Sequence, residues 1–164
     1  MSAEHKELIT RFYTAFANKD AEAMVACYAD DVVFEDPAFG ELKGDDAKNM
    51  WRMLVERGGD SLTVTFKDVK TSGFIGSAYW EAQYPFGKTR RPVHNKIQAT
   101  FAFKDGLIVR HKDKFNMYRW TRQALGATGT LLGWTPLVRG KVRSMARKGL
   151  ADYTAKRNAD AGNE

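Results

Sequence analysis

The chain has 164 residues, 43% hydrophobic and 28% charged, which is enough for one sizeable buried core and too few for two large independent domains. Its formal charge is +6, but seven Lys or Arg against Asp152 alone fall between Arg139 and Arg157, so the excess is local, and no zinc-finger or RNP signature accompanies it. No stretch approaches the roughly 20 consecutive apolar residues of a membrane span, the first residues do not read as a signal peptide, and Cys27 is the only cysteine, so a cytoplasmic protein without an internal disulfide is expected.

Leu8, Ile9, Phe12, Tyr13 and Phe16 recur at helical spacing and predict a first helix over about residues 4 to 18, broken by Asn18-Lys19-Asp20. Asp20 is a suitable N-cap for a second helix that carries Met24, Val25 and Tyr28 inward and ends at Ala29-Asp30-Asp31. A short strand follows, with Val32, Phe34 and Asp36 on one face. Asp45 is placed to cap a third helix striped by Met50, Trp51, Leu54 and Val55 and stopped by Gly58-Gly59.

From Leu62 the period changes to two. Leu62, Val64 and Phe66 share one face; so do Ala78, Trp80, Ala82 and Tyr84, followed by a basic loop over Phe86 to Pro92. Val93, Asn95, Ile97, Ala99, Phe101 and Phe103 line the next strand, and Lys104-Asp105-Gly106 turns into Leu107, Val109, His111, Asp113 and Phe115. Long antiparallel strands with helices segregated in front of them make an α+β plan. The pattern becomes helical again through Tyr118, Thr121, Arg122 and Leu125. An uncharged segment, Ala127 to Val138, reads as an ordered loop or lid. Val142, Met145, Ala146, Leu150 and Tyr153 then stripe a basic helix, with Ala159 to Glu164 frayed.

Asp36 draws the eye because a carboxylate ending an apolar row is either capped locally, as in an Asp-Pro turn, or used as an acid or base. His111 and Asp113 share one strand face and form either a structural polar pair or a second acid/base unit. Asn95, on the adjacent strand, is an amide available to a ligand. Tyr13, Tyr28, Trp51, Trp80 and Tyr84 supply walls suited to a flat hydrophobic molecule, or simply core. The three histidines show no ligand spacing, so no metal site is expected.

The run from Arg11 to Gly44, with Asn18-Lys19-Asp20, Ala29-Asp30-Asp31 and Asp36-Pro37 at ungapped spacing, resembles the ketosteroid isomerase and SnoaL-like branch of the NTF2-like superfamily. The words Phe101-Ala102-Phe103 and Gly106 to Asp113 are similar to that family's closing hairpin, and the likeness covers about residues 6 to 116. The resemblance implies a cone: a curved antiparallel sheet packed on three N-terminal helices around an apolar cavity. Residues 1–125 would form this domain, and 126–164 an extension packed on it or on a partner.

The resemblance places Asp36 at the family's base position. It puts Phe12 and Ala99 where the family's hydrogen-bond donors stand, and neither side chain can donate, so steroid isomerisation itself is not expected. What is implied is a small-molecule-binding domain. It would act as a cofactor-independent acid/base enzyme through Asp36, His111 and Asp113 on a hydrophobic ligand held by Tyr13, Trp51, Trp80, Tyr84 and Asn95, or serve as a non-catalytic scaffold. A homodimer is expected, and neither nucleic acid nor a membrane surface is expected as a partner.

Overall fold

A computed structural model describes residues 2–163. Helix α1, Ser2–Ala17, buries Leu8, Ile9, Phe12, Tyr13 and Phe16 on the side that meets the sheet. Lys19 then takes a left-handed backbone, and the Asp20 side chain accepts a hydrogen bond from Ala23 N, starting α2, Ala21–Val25.

The second helix is shorter than its sequence suggests. Tyr28 is not helical; it opens strand β1, Tyr28–Asp36, and Ala29-Asp30-Asp31 lies inside that strand. Ile108 N donates to Cys27 O at 2.9 Å, which draws the chain into the sheet two residues after the helix ends. The pairing of β1 shifts register between Tyr28 and Val33. That irregularity leaves Asp30 and Asp31 in solvent while Tyr28, Val32 and Phe34 are all buried, which strict alternation would not allow for Asp30.

Strand β2, Gly40–Lys43, pairs antiparallel with β1 and buries Leu42; its four residues between glycines are too few to show a period. Gly44, not Asp45, occupies the N-cap of α3, Asp45–Gly58, and Asp45 joins the acidic first turn. Within α3, Met50, Trp51 and Val55 are buried, whereas Leu54 is only half-buried.

Strands β3 (Thr63–Ser72), β4 (Ile75–Phe86), β5 (Arg91–Lys104) and β6 (Leu107–Lys114) complete one curved, unclosed sheet in the order β2-β1-β6-β5-β4-β3. The expected all-antiparallel sheet is instead mixed, because β1 runs parallel to β6. The expected loop at 86–92 is a hairpin turn: β4 and β5 stay paired out to Phe86 and Arg91.

After β6, Asn116 caps α4, Met117–Leu125, which lays Met117, Trp120 and Ala124 over Val93 at one end of the sheet. The segment Ala127 to Val138 is not a loop. It holds α5, Ala127–Leu132, a tight turn, and the start of α6, Pro136–Ala161, with Thr135 as N-cap and Pro136 in the first turn. Helix α6 continues regularly to Ala161, so the fraying expected from Ala159 is not seen; Glu164 lies outside the described residues.

Only Leu150 of the expected α6 stripe is fully buried. Val142, Ala146 and Tyr153 are half-buried and Met145 is exposed. Polar contacts do much of the docking: Arg147 donates to Phe39 O (2.7 Å) and Glu41 O (3.0 Å), and Arg143 to Pro37 O (3.2 Å). The helix thereby grips the β1–β2 turn, immediately beside Asp36.

At Gly129 a β-carbon would stand 1.9 Å from Thr121 O, so α5 meets α4 at a distance only glycine permits. Gly129→Ala is expected to cost about 1–3 kcal/mol by overpacking and to expose the α4–α5 corner to protease, both read against wild type by thermal unfolding and limited proteolysis. Unaltered stability would mean that α5 rests elsewhere.

Candidate functional site

Asp36 ends β1 half-buried, and its Oδ1 accepts a hydrogen bond from Phe39 N at 2.6 Å. The local Asp-Pro turn is therefore real, yet it does not settle the charge of the carboxyl group. Removal from water pushes Asp36 up to about 7; the amides of Phe39 and Ala38 and the Arg143 guanidinium pull it down, and the Asp113 carboxylate pushes it further up. The turn holds the carboxyl group through the Phe39 amide on Oδ1, and the Ala38 amide draws on it as well.

Behind Asp36, His111 is fully buried and boxed by rings: Trp51 stacks on it at 5.8 Å, Phe101 lies at 4.4 Å, and Phe12 and Phe34 meet it edge-on. Its polar atoms are satisfied in a line. Tyr28 Oη is 2.7 Å from Nδ1, and Asp113 Oδ1 is 2.9 Å from Nε2. Trp51 Nε1 donates to Tyr28 Oη at 2.7 Å, and Trp80 Nε1 to Asp113 Oδ1 at 3.3 Å. With Asp113 as the acceptor, Nε2 carries a proton, and the arrangement that also gives the Tyr28 hydrogen a partner has Tyr28 donating to Nδ1 while accepting from Trp51.

Tyr13 Oη is buried without a hydrogen-bond partner among the described residues. Burial raises its phenol well above the ordinary value, and the nearby Asp113 and Tyr28 add to that. Tyr84, near Asp36, has its phenol raised chiefly by burial, and its Oη accepts from Trp120 Nε1 at 2.8 Å. Asn95 is half-buried opposite Ala82, with no side-chain hydrogen bond among the described residues.

The fold thus brings His111 and Asp113 into direct contact, sets Tyr13 and Trp80 beside Asp113, ties Trp51 to His111 through Tyr28, and places Tyr84 beside Asp36. Asn95 joins none of these hydrogen bonds. The sequence offers Tyr28 as an aromatic wall on a helix, whereas it opens β1 and hydrogen-bonds His111, and the sequence reading does not single out Trp120. Trp120 could have been found from its spacing to Met117 and Ala124.

The expected apolar cavity is instead a packed interior, in which Phe12, Tyr13, Phe16, Phe34, Trp51 and His111 are each at most 2% exposed. Two grooves open elsewhere. One of about 480 Å³ lies on the outer sheet face between Lys70, Thr100, Arg110 and Lys112. The other, of about 540 Å³, lies between β5 and α4–α5 and is lined by Arg91, Arg119 and Arg122. Neither is lined by Asp36, His111 or Asp113.

The SnoaL-like domain family matches residues 9–111, which hold Asp36, the β1–β2 hairpin and His111. The chain belongs to the SnoaL-like family. No curated protein sequence matches it significantly. Among solved structures it is similar to an LEH-like epoxide hydrolase of M. tuberculosis, with 20% identity, a TM-score of 0.60, and coverage of 80% of this chain and 96% of that one. It is also similar to a protein of Jannaschia sp. CCS1 described only as a proposed SnoaL-like polyketide cyclase (12% identity, TM-score 0.66, 76% and 94% covered). A de novo designed protein with a curved β-sheet matches too (19%, 0.56, 71% and 88%). At these identities the likeness establishes the fold alone.

In this SnoaL-like domain, Tyr28→Phe would leave the Trp51 N–H and His111 Nδ1 both buried and unpaired. Two orphaned groups cost about 2–4 kcal/mol together, read from the denaturant midpoint, while a loss below about 0.5 kcal/mol would show that the Tyr28–His111 bond is not formed.

Proposed function

We propose that this SnoaL-like protein is a cofactor-independent acid/base enzyme acting on a hydrophobic small molecule, with Asp36 as the proton acceptor. The observation that carries the reading is the half-buried Asp36 carboxyl at the end of β1, raised to about 7 chiefly by removal from water. A carboxylate of that basicity is suited to take a proton from a carbon acid or from an attacking water near neutral pH.

The neighbouring groups have defined parts in this scheme. Asp113 raises the basicity of Asp36 through its charge and orients His111 through Nε2. Tyr13 Oη, the buried hydroxyl without a hydrogen-bond partner among the described residues, is the donor a ligand oxygen would meet once the packed interior opens to admit it, taking the role that Phe12 and Ala99 leave vacant. Half-buried Asn95 and Tyr84 supply polar contacts at the rim, and Trp51 and Trp80 the apolar wall. The reaction class is isomerisation, ring closure, dehydration or epoxide opening, and the LEH-like epoxide hydrolase and the proposed polyketide cyclase among the structural neighbours support that range. A cytoplasmic homodimer joined through the outer sheet face belongs to the same reading, and sedimentation at micromolar concentration tests the dimer.

The packed interior favours a second reading, in which the fold holds a ligand or a partner without transforming it and Asp36 serves only its turn. Asp36→Asn separates the two. It keeps the shape and is expected to lower kcat/KM on a responsive ketone or epoxide by about 10²–10⁴-fold; activity that survives unchanged removes Asp36 from catalysis. In wild type, kcat/KM should rise with pH to a plateau above about 7, because the base works ionised.

Stability should move the other way. The folded Asp36 binds its proton more tightly than the unfolded one, so its contribution is full below the unfolded value of 3.8 and is lost as pH rises through about 7. The thermal midpoint of wild type should therefore fall relative to Asp36→Asn between those values. Parallel curves would show that Asp36 titrates normally.

A further inference from the structure

Seven large apolar side chains stand exposed among the described residues, and five of them, Leu131, Leu132, Trp134, Leu137 and Met145, fall in one short stretch spanning the end of α5, the turn and the first half of α6. Exposed apolar residues are ordinary when scattered; gathered on one corner they mark a contact. Their exposure is built in. Gly129 and Gly133 lock α5 against Thr121, Thr135 caps α6, and Trp134 Nε1 donates to Leu131 O at 3.1 Å, so the corner is ordered with its apolar side chains outward. Leu137 is 82% exposed and Trp134 65%.

The stretch of chain that forms the corner carries charge of one sign, although Asp36 and Glu41 of the β1–β2 turn lie against Arg143 and Arg147. Between Asp113 and Asp152 the sequence contains no acidic residue, and it contains Lys114, Arg119, Arg122, Arg139, Lys141, Arg143, Arg147 and Lys148. Arg143 and Arg147 are engaged by backbone carbonyls of the β1–β2 turn. Lys141 and Lys148 are exposed and have no carboxylate partner among the described residues. Along α6, Leu137, Lys141, Met145 and Lys148 follow one another at helical spacing on the face opposite Val142, Ala146 and Leu150, which pack inward. An exposed face of alternating apolar and cationic residues next to a Leu-Leu-x-Trp turn suits a surface that is apolar beneath and anionic above.

We propose that this corner docks on an anionic lipid surface, with Leu131, Leu132, Trp134 and Leu137 entering the headgroup region and Lys141 and Lys148 meeting lipid phosphates. The protein lies on such a surface and does not cross it: no helix among the described residues is long and apolar enough to span a membrane. Two copies meeting at this corner would bring like charges together, and a nucleic acid would leave the leucines without an apolar counterpart. A bilayer with anionic headgroups satisfies both halves. The reading departs from the sequence-based expectation that the segment folds back as a lid, and it is independent of the role of Asp36.

The test is cosedimentation of the full chain with vesicles of phosphatidylcholine alone and with about 30% phosphatidylglycerol, at low salt and in 0.5 M NaCl, a range over which surface electrostatics are screened. Wild type is expected to bind the anionic vesicles at low salt and to lose at least about tenfold in affinity on either change. Trp134→Ser with Leu137→Ser, and separately Lys141→Glu with Lys148→Glu, should each lose at least about tenfold with unchanged thermal midpoints. Trp51, Trp80 and Trp120 are buried, so a blue shift of emission on binding reports Trp134. The proposal is overturned by no binding to anionic vesicles, by equal binding to neutral ones, or by serine variants that bind as wild type does. Self-association that the serine variants abolish, without vesicle binding, would assign the corner to a second copy.

Discussion

Polar atoms on the concave side of the sheet need partners within an aromatic interior, and among the described residues Tyr13 Oη is the buried side-chain atom that lacks one. The line Trp51, Tyr28, His111, Asp113, Trp80 is how this chain meets that requirement. It draws on α3, β1, β6 and β4, so one hydrogen-bonded line fixes the relative depth of four elements. Around it the rings of Phe12, Phe34 and Phe101 exclude water, which makes each of those bonds expensive to lose.

Asp36 lies half-buried at the end of β1. Two demands meet on one side chain: the β1–β2 turn wants its oxygen for Phe39 N, and removal from water resists its charge. The grip of Arg143 and Arg147 on the carbonyls of Pro37, Phe39 and Glu41 ties the turn to α6, so the environment of Asp36 depends on a helix beyond the residues matched by the family.

The helices and long strands were legible because their periods are long enough to count, and Asp36, His111 and Asp113 were legible because each interrupts an apolar row. What stayed hidden has specific causes. The register shift after Tyr28 breaks the alternation that would have moved this tyrosine from helix to strand. The parallel pairing of β1 with β6 leaves no local trace, since it is a fact of topology and not of pattern. The filled interior depends on how Phe12, Tyr13, Phe16 and Trp51 interdigitate, which spacing alone does not encode. The segment around Gly129 and Gly133 looked like a loop because two glycines ordinarily interrupt helices; here they are required by close contact with Thr121.

The parallel pairing of β1 and β6 also bears on how the protein acquires its site. Tyr28 and His111 lie 83 positions apart, and the strands that carry them become neighbours only after β5 and β6 have been synthesised and folded back. A nascent chain ending before β6 would hold Asp36 without Asp113 behind it, and Trp51 without the histidine it stacks on. Assembly of the polar line is therefore a late, long-range event that closes a large loop, and it makes appearance of the site coincide with completion of the fold.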